Sequence, residues 1–357
     1  MNLPYLRLEG PPPAQGRAHG EALKDRIHHN LEVYRERFAL EGAAWPGVLE
    51  RAALYLPYLE RCHPGYATGM RAIATASGAP LEAIAALNLR YEILYYQFTR
   101  NLLREGCTSF AVRPEATRDG HLLMGQNWDW FPEVAGAVVR TTEPDGLETL
   151  GYTEAGILGA KIGLNSAGVG VGVNGLTSTA DAWDRRTTPF HVRLWRVLRA
   201  RTFNAAVAVV TDKPRACSMN LLIGQAPDRV VSLEAAPDGM YRLTCRDGCL
   251  THANHFTHPE ALGVTEPPDP HRPHSVAREA RLHALLRAAR PLTVEKIQRI
   301  LQDGEGQPWD LCRHALPDLP PDERYATVVS VVMDLTARTL HLADGPPCTH
   351  AFQTFAL

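Results

Sequence analysis

The sequence predicts an α+β protein in which two antiparallel sheets are covered by helices on both outer sides. Two observations carry this. Residues 1–103 are mostly helical in pattern, and the character changes abruptly at Cys107. From there strand-like runs arrive in groups separated by helix pairs, an order that builds stacked layers. A doubly wound parallel sheet would need strict β-α alternation, which this chain lacks.

In chain order, Leu23, Ile27, Leu31, Tyr34 and Phe38 recur at steps of 4, 4, 3 and 4. That spacing makes one apolar face of a helix over Gly16–Leu40. Further helices are expected near Pro46–Leu59, Gly65–Ser77 and Leu81–Tyr96, with Ala79-Pro80 parting the last two. Cys107–Val112 and Leu122–Trp128 read as strands joined through Arg118-Asp119-Gly120, because Asp-Gly between extended runs signals a hairpin. Short β-branched runs follow at Ala137–Thr142, Leu147–Tyr152, Lys161–Leu164 and Val169–Val173, the last two joined by the turn Asn165-Ser166-Ala167-Gly168. His191–Arg201 and Asn204–Thr211 read as helices, the first with Arg193, Arg196 and Arg199 along a solvated face. Strands return at Ser218–Gly224, Arg229–Ala235 and Tyr241–Cys245, then helices at Ser275–Ala289 and Thr293–Asp303, with Thr293 as N-cap. Val328–Asp334 and Thr339–Ala343 form a last hairpin, and Ala351–Leu357 a terminal strand. No repeat or low-complexity tract is present.

Composition narrows the functional classes. A net charge of −2 gives no electrostatic case for nucleic acid or an anionic membrane. The longest apolar runs, such as Val328–Met333, are too short to span a bilayer. The first residues lack the pattern of a signal peptide, and seven cysteines, an odd number, do not form a disulfide framework. The expectation is a reduced, cytoplasmic protein.

The chemistry concentrates at Gly106-Cys107-Thr108 and at Gln126-Asn127-Trp128-Asp129, which the hairpin brings to one end of a sheet. A thiol is the strongest side-chain nucleophile near neutral pH, and glycine leaves its carbonyl open to attack. If Cys107 attacked the Gly106 carbonyl, an N-to-S acyl shift and hydrolysis would cut the chain. Cys107 would become an N-terminus carrying its own base, an α-amine of pKa about 7.7–8.0. A lone Gly-Cys pair is more often a buried structural cysteine, so the surrounding residues decide. Asp129 stands where a strand leaves the core. Asn254, between His252 and His255, offers an uncharged donor for a developing oxyanion. Arg324, before the run Ala326–Met333, would favour a thiolate or bind a carboxylate if buried, and would be solvated if not.

Two further constellations compete with this one. Cys245, Cys249, His252 and His255 have spacings reminiscent of a zinc site, but Arg246-Asp247-Gly248 puts the two cysteines on opposite arms of a hairpin. The glycine-rich Gly168–Gly175 lacks the Lys and the following helix that a phosphate-binding loop needs. Alternating Val and Gly suits a strand that another backbone approaches closely. Cys217 and Cys312 carry no motif.

Together these segments resemble the acyl-coenzyme A:6-aminopenicillanic acid acyltransferase (isopenicillin N acyltransferase) family of N-terminal-nucleophile cysteine hydrolases. The resemblance runs through Asn88-Leu89-Arg90-Tyr91-Glu92, Gly106-Cys107-Thr108, Gly125-Gln126-Asn127-Trp128-Asp129 and Asn165-Ser166-Ala167-Gly168. It continues through Asn174-Gly175-Leu176, His252-x-Asn254-His255-Phe256 and Arg324-x-Ala326-Thr327. Ala253 departs from an expected threonine, and the separation of 22 residues from Cys107 to Asp129 exceeds the usual one by a few.

The resemblance implies a four-layer αββα sandwich, the N-terminal-nucleophile hydrolase fold, with self-cleavage between Gly106 and Cys107. Residues 1–106 would be a helical α-chain that stays bound to a β-chain of residues 107–357, the two forming one structural unit. Cys107 would be the nucleophile, Asp129 would hold its α-amine, Asn254 would donate to the oxyanion, and Arg324 would act electrostatically. The substrates implied are small acyl amides or acyl thioesters, with no cofactor and no metal. The remaining alternatives are an unprocessed precursor, a non-catalytic binding relative, or a zinc protein.

Overall fold

The computed structural model describes residues 3–98, 106–269, 272–306, 310–321 and 324–357. Arg104 and Glu105, just ahead of the candidate cut, lie outside them. Strand β1 (Tyr5–Glu9) opens the chain, followed by helices α1 (Pro12–Ala22), α2 (Lys24–Leu40), α3 (Trp45–Cys62), α4 (Pro64–Ser77), α5 (Leu81–Asn88) and α6 (Arg90–Phe98). Strands β2 (Thr108–Val112), β3 (Leu123–Trp130), β4 (Gly136–Thr142), β5 (Glu148–Glu154), β6 (Ile162–Asn165) and β7 (Val169–Gly175) follow. After α7 (Phe190–Leu198) and α8 (Phe203–Thr211) come β8 (Met219–Gln225), β9 (Arg229–Ala235), β10 (Met240–Leu243) and β11 (Cys249–His252). The chain ends with α9 (Pro259–Leu262), α10 (Arg272–Ala288), α11 (Val294–Leu301), β12 (Ala326–Asp334), β13 (Thr339–Ala343) and β14 (Gln353–Ala356).

The strands make two sheets, β1-β4-β5-β6-β7-β8-β9-β10 and β11-β2-β3-β12-β13-β14. They face each other through β2, β3 and β12 on one side and β6, β7 and β8 on the other. Helices α7 and α8 cover the outside of the first sheet, and α10 and α11 the outside of the second. This is the αββα order expected from the sequence. Period-2 alternation divides the second sheet's residues between two cores. Ala111 and Trp128 face the other sheet, whereas Phe110, Val112, Leu123 and Val332 pack under α10 and α11 against Leu282, Leu286, Ile297 and Leu301. Thr293 caps α11 as its sequence suggests, its hydroxyl accepting from the Lys296 amide.

The differences from expectation have local causes. β1 was not foreseen, and its pairing with β4 is parallel, whereas the other ladders are antiparallel. The helix expected over Gly16–Leu40 breaks at Leu23, because α1 turns to lie directly on α4. A Cβ on Gly16 would fall 2.1 Å from the Gly69 carbonyl oxygen. The helix expected over Leu81–Tyr96 breaks at Leu89. There the Asn88 amide donates back to the Ile84 carbonyl at 2.8 Å and across to the Gly156 carbonyl at 2.8 Å, a side-chain bond that competes with helix continuation.

Arg193 is not on a solvated face. It is buried, and its guanidinium donates to the carbonyls of Thr188 (3.2 Å), Val209 (2.7 Å) and Pro214 (3.2 Å), which satisfies a rigid five-donor group. The Tyr241–Cys245 and Cys249 arms share a tight turn, with Asp247 at φ 48 and Gly248 at φ 69, but they enter different sheets. In β7, Gly170 and Gly172 are approached by the side chains of Leu335 and Gln126, not by the backbone that their alternation suggested.

The contact between α1 and α4 gives a direct test. Gly16→Val should destabilise the fold by about 1–3 kcal/mol through overpacking, read as a lower urea midpoint at unchanged slope. An unchanged midpoint would contradict the close approach.

Candidate active site

Cys107 sits one residue before β2, almost fully buried. The β2–β3 register pairs Thr108 with Asn127, which carries Cys107 to the end of β3. Its thiol donates to the backbone carbonyl of Asp129 at 3.7 Å. The preceding Gly106 is closed in by two side-chain ends. A Cβ there would lie 2.6 Å from Asp129 Oδ2 and 2.7 Å from Arg313 Nη1. The Gly106 carbonyl oxygen accepts from Arg278 Nη1, which also donates to the Cys107 carbonyl (3.3 Å) and Thr108 Oγ1 (3.2 Å).

The Asp129 carboxyl is aimed by β12. Thr327 Oγ1 donates to Asp129 Oδ1 at 2.7 Å, and Thr327 exchanges backbone and hydroxyl bonds with Arg313. The β3–β12 register shifts between Thr327 and Val329, an irregularity of the kind that re-aims a strand side chain. Asp129 Oδ2 is buried with no hydrogen-bond partner among the described residues. Burial pushes the Asp129 carboxyl up to about 7, against the pull of Arg278, Arg313 and the Thr327 hydroxyl. A carboxyl poised there can take and return a proton near neutral pH.

Asn254 joins the site through Arg278, whose Nη2 lies 3.5 Å from Asn254 Oδ1, while the Asn254 amide donates to the Gly175 carbonyl at 3.1 Å. Asn174, next to Gly175, accepts from the hydroxyl of Ser109 at 2.7 Å and from the Asn220 amide at 3.0 Å. Its own amide nitrogen is buried without a partner among the described residues. The structure thus brings Cys107, Asp129 and Asn254 together and leaves Arg324 outside. Arg324 donates to the carbonyls of Leu319 (2.7 Å) and Pro317 (2.8 Å) in its own loop. Arg278 and Arg313 stand where the sequence had placed it. Arg278 carried no signal in the helix pattern, whereas Thr327 lay inside the quoted Arg324-x-Ala326-Thr327 run without a role.

Near Cys107, Asn88 to Glu92 builds a buried charge cluster. Arg90 pairs with Glu154, Lys161 Nζ lies 3.1 Å from Glu154 Oε1, and the Tyr34 hydroxyl also donates to Glu154. Lys161 Nζ stands 3.3 Å from the centroid of the Trp128 ring, a cation–π contact on the residue beside Asp129. Burial lowers Lys161 to about 7, against the raising influence of Glu154 and the thiolate form of Cys107. Burial opposes the Glu154 charge, yet Arg90 and Lys161 hold its carboxyl below the ordinary range. Glu92 accepts from the Phe190 amide at 2.6 Å and, near Cys217, is raised to about 7 by burial.

The alternative zinc set of Cys245, Cys249, His252 and His255 does not assemble. His252 bonds Glu234 at 2.8 Å, His255 contacts Ser275 and Glu279, and Cys249 accepts from Arg290 at 3.0 Å. Among the described residues these four form no cluster of converging ligand atoms.

The profile of the family "Acyl-coenzyme A:6-aminopenicillanic acid acyl-transferase" matches residues 116–347. The chain is 27% identical over 354 residues to the "Acyl-coenzyme A:6-aminopenicillanic-acid-acyltransferase 40 kDa form" of Emericella nidulans, covering 96% of this chain and 93% of that protein. Among solved structures, the N-acylethanolamine-hydrolyzing acid amidase ortholog of Caenorhabditis elegans gives a TM-score of 0.48 at 16% identity, over 70% of this chain and 100% of that one. A mutant form of the conjugated bile acid hydrolase of Clostridium perfringens gives 0.46 at 12% identity, over 70% and 97%. The layered fold and the family match define the class, an N-terminal-nucleophile hydrolase or acyltransferase. The chain belongs to the acyl-coenzyme A:6-aminopenicillanic acid acyltransferase family.

The buried cluster can be tested by stability. Glu154→Gln would leave Arg90 and Lys161 enclosed without their counter-charge and should cost about 3–5 kcal/mol in urea unfolding. A cost within error of zero would show that Glu154 does not hold them.

Proposed function

We propose that the chain cuts itself between Gly106 and Cys107, and that the freed Cys107 is the nucleophile of an amidohydrolase or acyltransferase. The observation that supports this reading is the Arg278 guanidinium on the Gly106 carbonyl, with Asp129 and Arg313 closing around the same glycine. In the first step Cys107 Sγ bonds to the Gly106 carbonyl carbon and its proton passes to Asp129. Charge gathers on the oxygen facing Arg278. Collapse breaks the C–N bond, the nitrogen takes the proton, and a thioester remains. Water then releases residues 1–106, which stay bound through the packing of α1–α6.

After the cut, the Cys107 α-amine is the base that the intact peptide withholds, and Asp129 orients it. Asn254 donates to the oxyanion of the substrate, and Arg278 and Arg313 take the electrostatic role first assigned to Arg324. The acyl group passes from substrate to Cys107 and on to water or an amine. The substrate class is a small N-acyl compound, with acyl thioesters as further donors because the family's description names acyl-coenzyme A. Penicillin chemistry does not follow from the family alone.

Cys107→Ala should abolish both cleavage and turnover, and amidase activity retained in that variant would refute the assignment. Arg278→Met should slow cleavage about 10²–10³-fold, the loss expected when an oxyanion donor is removed, followed as the decay of full-length chain on a gel. Because Asp129 must be ionised to accept the proton, and burial raises it to about 7, cleavage should accelerate as pH rises through 7. That limb should be missing in Asp129→Asn; a limb surviving there would assign it to another group.

A further inference from the structure

Three thiophilic ligands converge on the far side of the segment that carries Arg313. Cys312, His314 and Cys348 bring one ligand atom each to within 4.8 Å of one another. His314 Nε2 lies 3.0 Å from Cys348 Sγ and 3.8 Å from Cys312 Sγ. A tetrahedral cation with S bonds of about 2.3 Å and N bonds of about 2.0–2.1 Å sets its N and S ligands about 3.6 Å apart, between the two observed separations. We propose that Cys312, His314 and Cys348 bind a d¹⁰, thiolate-preferring cation of which zinc is the type.

The setting supports a site open on one side. Cys312 is buried, His314 is half-buried and Cys348 is exposed, so the fourth position faces solvent. Two thiolates and a neutral imidazole balance a divalent charge, and binding releases the two thiol protons. Cys348 lies in a turn after β13, closed by bonds from the Thr349 and His350 amides to the Pro346 carbonyl. Cys312 and His314 flank Arg313, which turns the other way to meet Gly106 and Asp129. Two residues before Cys312, Asp310 is buried with both carboxylate oxygens unpartnered among the described residues. An acceptor of that kind is the ordinary companion of a ligating histidine or a bound water. The cation would tie the 310–314 segment to the loop after β13. The cysteines of the earlier zinc reading take no part in it.

The test uses the full chain, reduced and freed of metal with a chelator, then titrated with Co²⁺ and displaced with Zn²⁺. One equivalent should produce a thiolate-to-cobalt charge-transfer band with tetrahedral d–d bands, bleached by zinc. Even outer partners of a ligand are worth 10–100-fold in affinity, so Cys348→Ala and His314→Ala should each weaken binding by about 100-fold or more. Cys348 is exposed, so its loss leaves the fold intact, and Cys249→Ala, outside the site, should bind normally. The proposal fails if no band appears, or if the band persists in Cys348→Ala.

Discussion

The guanidinium of Arg278 on the carbonyl of Gly106 is the contact around which the rest is arranged. At the same glycine a Cβ would meet the side-chain ends of Asp129 and Arg313, which would have to shift to admit it. The contact also draws three parts of the fold to one point. Cys107 and Asp129 come from adjacent inner strands, Arg278 from the helix layer behind them, and Arg313 from the segment tied to β12. Three buried charges so close would be costly if unmatched. Here the carboxyl is opposed by two cations, and each cation answers it or a backbone carbonyl.

The facing sheet, which carries Glu154, and the helices α1–α6 meet that point from the other side. Asn88 breaks the helix, Arg90 enters the core to pair with Glu154, and Lys161 completes the cluster against Trp128. Arg90 of the helical segment is thereby paired with Glu154, on a strand that follows Cys107. No helix among the described residues is long and apolar enough to cross a membrane.

Much of this was legible in the sequence, for physical reasons that vary along the chain. The β2–β3 hairpin is local, so Asp-Gly between two short extended runs was enough to place Cys107 beside Asp129. Layer order followed from runs of strands separated by helices. Arg278 was invisible because its partners at Gly106, Cys107 and Thr108 lie 170 to 172 residues away and an arginine on an amphipathic helix gives no sign of what it meets. Arg324 misled because it stands three residues before the informative one, Thr327, and spends its donors on its own loop. The breaks at Leu23 and Leu89 hid inside continuous apolar periodicity, since both halves of each helix bury a face. Arg193 read as solvated because spacing reports a face but not what packs on it. Cys312, His314 and Cys348 come from two segments that meet only in the folded chain, so no spacing rule would have joined them.

Self-processing turns on the bond between Gly106 and Cys107. The most direct measurement is an intact mass spectrum of freshly purified protein under denaturing conditions, with N-terminal sequencing of each species. The account predicts two chains of about 12 and 28 kDa, dividing 39.3 kDa in proportion to length, the larger beginning Cys107-Thr108-Ser109. A single species of 39.3 kDa that stays whole across the pH range, or a cut at any other bond, would contradict it.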